Sequence, residues 1–217
     1  MGYRAWHGGG MDYRRTYRSA AIVFADLVAR IPPAALDGPG LGEWTLRDLL
    51  GHTVSSALRQ VPTVLATTAP TLLVPAPEAY FALARVAPAD LVAAARQASA
   101  EDARATGAAL GDDPADLVSH YIGQATGALA VAGDDDLVAT PVGGMRVEDW
   151  LPTRTFELVV HASDAAVAAG LPIDFDPDTL ASTAALAARI GAAIGHGIPT
   201  IRALTGRTTL PTGFSVL

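Results

Sequence analysis

The chain contains no cysteine. That excludes a disulfide framework, a thiolate metal site and a cysteine nucleophile, and leaves histidine and carboxylate as the side chains on which a transition metal could rest. There is no basic run, and 22 acidic residues against 15 basic ones leave a net charge of −7. This balance argues against nucleic acid and anionic membrane surfaces as partners, yet leaves room for a small anionic substrate held by one or two arginines. No apolar run reaches the ~18 residues of a transmembrane helix. The polar, aromatic and glycine-rich start has no secretory pattern, so a cytoplasmic protein is expected. No internal repeat is visible.

What is abundant is alanine, valine and leucine. Half of the 217 residues are hydrophobic but only 6% are aromatic, a composition suited to closely packed helices. The length allows one good core, or one domain with an appendage. Met1 to Gly10 reads as a flexible leader or remnant, with Met11 as the alternative start and His7 a poor ligand because it is free to move. Apolar spacing predicts helices over Asp12–Arg30, from Thr45 to about Thr67, over Ala79–Arg85, from Pro88 to about Leu110, and over Asp116–Val131. Thr45 and Asp48 form a capping-box pattern, which gives Asp48 a structural task. Leu137–Val142 is the best strand candidate, with Gly143-Gly144 as its turn. The triple aspartate Asp134–Asp136 lacks the spacing of a calcium loop, and His120 has no acidic neighbour at helical spacing on its C-terminal side. A last helix is expected from Asp178 to about Ile194, then an exposed His196 and a tail that packs back.

The most informative stretch is Arg154-Thr155-Phe156-Glu157-Leu158-Val159-Val160-His161-Ala162-Ser163-Asp164, in a helix that Gly170 and Pro172 should end. Glu157 and His161 stand four residues apart, so a carboxylate and an imidazole leave one helix face a turn apart and can grip one divalent cation. Arg154 and Asp164 extend the same polar stripe, flanked by apolar residues. Such a stripe is costly to bury unless its groups find partners. A metal is one answer; a buried Arg154–Glu157 ion pair with a hydrogen-bonded histidine is the other. His52, in a leucine-rich helix, gains value beside this pair. Together the three make a His/Glu/His set that leaves a coordination position open, as catalytic rather than structural metal sites do. Four antiparallel helices can aim such ligands inward.

Two motifs carry a resemblance. Trp44-Thr45-Leu46-Arg47-Asp48-Leu49-Leu50-Gly51-His52, and Glu157-Leu158-Val159-Val160-His161 with Asp164, are similar to the two signatures of the mycothiol-dependent maleylpyruvate isomerase family, within the DinB-like metalloprotein superfamily. The likeness spans roughly Asp12 to Gly170, and the ending Gly213-Phe214-Ser215-Val216-Leu217 is similar too. It implies a mainly all-α fold: a DinB-like four-helix bundle over residues 11–172, a short C-terminal helix and tail over 173–217 packing on it, and at most a minor β element. It implies a divalent metal, usually zinc, held by His52, Glu157 and His161, and mycothiol as a thiol cofactor that adds to a cis double bond and leaves after rotation. The family's isomerase also carries a substantial C-terminal domain; here the residues after Gly170 suffice for one helix and a tail. A basic residue from that region is expected near the metal, with Arg202 and Arg207 as candidates. Arg154 would orient Glu157 from behind, and Asp164 would do so for His161.

The expected activity is that of a metal-dependent isomerase or thiol S-transferase on a small unsaturated or electrophilic substrate, acting as a monomer or homodimer. The alternatives are a biosynthetic lyase or cyclase that keeps the metal without a thiol, and a ligand-binding bundle whose metal is structural.

Overall fold

The computed structural model describes residues 12–216, so the leader, Met11 and His7 lie outside the described residues. Helix α1 (Tyr13–Val28) starts on Asp12, whose carboxylate accepts from the Arg14 and Arg15 amides. It buries Tyr17, Ala20, Ala21, Phe24, Leu27 and Val28 on one stripe. Helix α2 (Leu46–Val54) opens with the expected capping box: Thr45 accepts from the Asp48 amide and Asp48 from the Thr45 amide. After α2 the chain passes through a π-turn, Ser55–Arg59, into α3 (Gln60–Leu65). Helices α4 (Pro77–Val86), α5 (Ala89–Leu110) and α6 (Ala115–Leu129) come next.

Strands β1 (Leu137–Thr140) and β2 (Gly143–Arg146) form a small antiparallel ribbon, with Val138 opposite Met145 and Thr140 opposite Gly143. The turn is therefore at Pro141-Val142, and the glycine pair expected to make it lies inside β2. The reason is packing: a Cβ on Gly144 would stand 2.0 Å from the Thr71 carbonyl oxygen. Helix α7 (Val147–Ala169) is the longest element at 23 residues and ends, as expected, on Gly170 in the left-handed region at φ 65°. Helix α8 (Pro177–Gly191) starts on Asp176, and a kink at Gly195, in the left-handed region at φ 88°, separates it from α9 (Gly197–Leu204), a helix where only a tail was expected.

Helix α7 lies between α1 and α2, α5 runs beside α2, and α6 closes the bundle against α1 and α3. The fold is thus a mainly all-α bundle with one minor ribbon. Trp150, Tyr17, Phe24, Leu27, Leu49, Leu50 and Leu58 are fully buried between these helices. Helices α2 and α5 approach so closely that a Cβ on Gly51 would meet the Ala103 carbonyl oxygen at 2.1 Å and the Gly107 amide nitrogen at 2.4 Å. Helix α8 packs against α4, α7 and α1 on the outside of the bundle. Among the described residues no helix is long and apolar enough to cross a membrane.

Candidate metal centre

Both positioning helices owe their facing to local sequence. The Thr45/Asp48 box fixes where α2 begins, and Leu46, Leu49, Leu50 and Val54 turn its apolar side into the core. His52 is left at the edge of that side, looking across to α7. On α7, Glu157 and His161 sit on the inner face, 9% and 7% exposed.

The three side chains converge. His161 Nε2 lies 3.2 Å from Glu157 Oε2, and His52 Nε2 lies 3.9 Å from the same oxygen. One ligand atom from each residue falls within 4.8 Å of the other two. The two imidazoles meet edge to face, with centroids 4.8 Å apart. Four-coordinate sites with ligand bonds near 2.0–2.1 Å place their donor atoms about 3.4 Å apart, so shifts of about an ångström would close the three around one cation. The far nitrogens are also engaged. His161 Nδ1 is 3.3 Å from Asp164 Oδ2, and His52 Nδ1 is 3.4 Å from Ser99 Oγ. A partner on Nδ1 turns Nε2 toward the centre, the usual arrangement behind a histidine that binds metal. Two imidazoles and a carboxylate are donors suited to a borderline divalent ion. The residues fit one.

The electrostatics agree. Burial acts to raise the Glu157 carboxyl, but the hydrogen bond from His161 and the charges of Arg154, His161 and His52 outweigh it and hold the group below its ordinary value. Burial likewise acts to lower His161, yet its contacts with the Asp164 and Glu157 carboxylates lift it to about 9. His52 moves the other way, to about 4, because burial and the neighbouring His161 charge both oppose its protonation. Without a metal the site holds an imidazolium between two carboxylates beside a neutral imidazole. One proton stands where a cation could bind.

The other candidate residues are placed differently. Asp164 reaches the far nitrogen of His161 and does not join the three converging donors. Arg154 is buried on the same face of α7 but forms no ion pair with Glu157; it donates to the Ser56 carbonyl and to Gln60 Oε1, each at 2.8 Å. Arg202 on α9 and Arg207 beyond it are exposed, and neither is paired with His52, Glu157 or His161 among the described residues. Arg207 donates to the nearby Thr205 carbonyl. His120 is exposed against Tyr121, and His196 lies against Phe214. Two neighbours of the site carry no signal in the sequence. Ser99 reaches His52 from α5, 47 residues away. The Trp44 ring lies 5.0 Å from the His52 ring, and although it opens the first motif, nothing local marks it as a wall of the site.

Residues 17–166 match the family described as the mycothiol maleylpyruvate isomerase N-terminal domain. The matched span contains His52, Glu157, His161 and Asp164 and stops short of α8 and α9. No curated protein and no solved structure matches the chain.

Proposed function

The chain belongs to the mycothiol maleylpyruvate isomerase N-terminal domain family, and on that premise we propose that His52, Glu157 and His161 hold one divalent cation, zinc by preference, at the active centre of a thiol-dependent enzyme. The reaction would be isomerisation of, or thiol transfer to, a small unsaturated or electrophilic substrate. When bound, the cation supplies Lewis acidity, which polarises a carbonyl or lowers the pKa of a thiol.

The chain's own residues do the rest. Asp164 holds His161 by Nδ1 and so aims Nε2 inward, and Ser99 stands in the same relation to His52. Trp44 packs beside His52, the two rings tilted against each other with centres 5.0 Å apart. No cysteine exists to serve as nucleophile, so the thiol must come from outside the chain, and mycothiol is the one the family points to. We place this chemistry in the cytoplasm, with a small molecule as the ligand.

The observation that carries the reading is the position of Asp164. A carboxylate within reach could have completed a closed four-ligand site; it engages the second nitrogen of His161 instead. Three converging donors leave a position for substrate or water, which favours catalysis over a structural metal. The test is the metal content of purified protein beside His52→Ala and His161→Ala. About one zinc-like ion per chain in the wild type, lost in both variants, is the expected result, together with activity that depends on added mycothiol. Wild-type protein that takes up no divalent ion would refute the proposal.

A further inference from the structure

Arg154 is the buried charged side chain of α7 to which the proposed chemistry gives no task. It is 3% exposed, and its guanidinium pairs with no carboxylate among the described residues. The Glu157 carboxylate feels its charge without touching it, and a buried cation with no carboxylate in contact is expensive to keep unless oriented dipoles replace the lost water. Here they do. Nη1 donates to the Ser56 carbonyl at 2.8 Å and to Gln60 Oε1 at 2.8 Å, and Nε donates to Thr153 Oγ1 at 3.0 Å. The guanidinium also lies 5.1 Å from the centre of the Tyr80 ring and 5.8 Å from that of Trp150.

The partners matter for where they sit. Ser56 belongs to the π-turn and stands four residues after His52; Gln60 is the first residue of α3. The next carbonyl of the turn, that of Ala57, accepts the Tyr17 hydroxyl of α1 at 2.8 Å. Two successive carbonyls of the π-turn are therefore held by side chains from other helices. A π-turn loosens the regular ladder and is a common device at functional sites. On α7, Arg154 precedes Glu157 by just under one turn. A single guanidinium thus spans the joint between the helix bearing His52 and the helix bearing Glu157 and His161.

We propose that Arg154 is a positioning residue of the metal group: by gripping Ser56 and Gln60 it fixes the π-turn against α7 and sets the reach of His52 toward Glu157 and His161. This rests on the reading of the three residues as a metal centre. His52 is the arm with most need of it, since its Nε2 stands 3.9 Å from Glu157 Oε2 against 3.2 Å for that of His161. Arginine suits the task because its planar fork serves several acceptors at fixed angles and remains charged when buried. A lysine would offer one point charge to the same acceptors.

The test uses Co2+, whose visible absorption reports the number and geometry of its ligands. Wild type, Arg154→Lys, Arg154→Met and Gln60→Met are loaded with Co2+ and titrated against a chelator, and thermal unfolding of each metal-free protein reads stability separately. In Arg154→Met the affinity should fall by about 10–100-fold and the visible band should shift while the ion is still bound. Arg154→Lys and Gln60→Met should show the same changes more weakly. Gln60→Met keeps the charge and removes one grip on the joint, so it decides the matter if Arg154→Met does not fold. Folded variants with the wild-type spectrum and affinity, whatever their melting temperatures, overturn the positioning role alone. A wild type that binds no Co2+ overturns the metal reading and this inference with it.

Discussion

Gly51 stands directly before His52, and its replacement by alanine puts the helix contact behind the site to a demanding test. A methyl there would lie 2.1 Å from the Ala103 carbonyl oxygen, 2.4 Å from the Gly107 amide nitrogen and 2.8 Å from the Gly107 Cα. All three are backbone atoms of α5 and cannot swing aside. Since non-bonded heavy atoms prefer separations near 3.5 Å, α2 and α5 would have to part by more than about 1 Å locally. Overpacking of this kind costs about 1–3 kcal/mol, and the ~1 kcal/mol that alanine gains over glycine in a helix offsets only part of a large clash. We expect Gly51→Ala to lose about 2 kcal/mol, a fall of roughly 4–8 °C in melting temperature for a chain of this size. Gly123 and Gly127 provide the contrast. Both are exposed within α6, with nothing within 4 Å of an added Cβ. There the same substitution should stabilise by about 0.5–1 kcal/mol. Thermal unfolding of the metal-free proteins, monitored by circular dichroism, reads both signs at once. If Gly51→Ala melts at or above the wild type, the close packing of α2 on α5 is wrong.

Protonation leads to two more outcomes. His161, raised to about 9, carries a proton at neutral pH that a cation must displace. Apparent metal affinity should thus rise about tenfold per unit from pH 7 toward pH 9 and level off above it. Calorimetry in buffers of different ionisation enthalpy should register about one proton released per ion, and affinity that is flat across this range would contradict the assignment. Asp176 caps α8 by accepting from the Asp178 and Thr179 amides, each at 3.1 Å, and from the Ser19 and Thr179 hydroxyls, each at 2.5 Å. Burial acts to raise this carboxyl, but those hydrogen bonds outweigh it and bring it to about 2. A carboxyl lowered on folding stabilises above its unfolded value and loses that contribution as pH falls through its folded one. Asp176→Ala should therefore cost about 1 kcal/mol at neutral pH, with its denaturation midpoint converging on the wild type as pH falls from about 4 toward 2. A gap that persists at pH 2 would show that the loss comes from packing.

The sequence was most legible where the signal is local. The Thr45/Asp48 box, the stop at Gly170 and the shared face of Glu157 and His161 each depend on residues within a few positions, where helix geometry leaves few alternatives. The convergence of His52 with that pair needed the family likeness as well, because the two helices are joined by a long stretch that spacing does not fold. The π-turn gave no warning: Ser-Ser-Ala-Leu-Arg reads as ordinary helix, and its extra residue is accommodated by side chains from α1 and α7. Arg154 drew attention to the right helix, but toward Glu157 as its partner, since spacing along one helix cannot show a carbonyl on another. Ser99 and Gly107 come from α5 and become meaningful only once that helix lies against α2. Helix α9 was missed because the glycines and prolines around it read as a tail.

The π-turn after His52 also governs what kind of heritable change this bundle can absorb. A residue lost between Ser55 and Arg59 would let the helix run as a regular α-helix, an outcome no local propensity opposes. Yet with α3 held in place, everything before the gap would turn by about 100° and draw in by about 1.5 Å. The Leu46, Leu49 and Leu50 side would swing out of the core, and His52 would leave the face that looks toward α7. Substitutions within the five residues leave the reading frame of the helix untouched, whereas a single deletion resets it. Lineages that keep the centre should therefore agree on the length of this segment and on the small and apolar character of its buried positions, Ala57 and Leu58, and vary at the others.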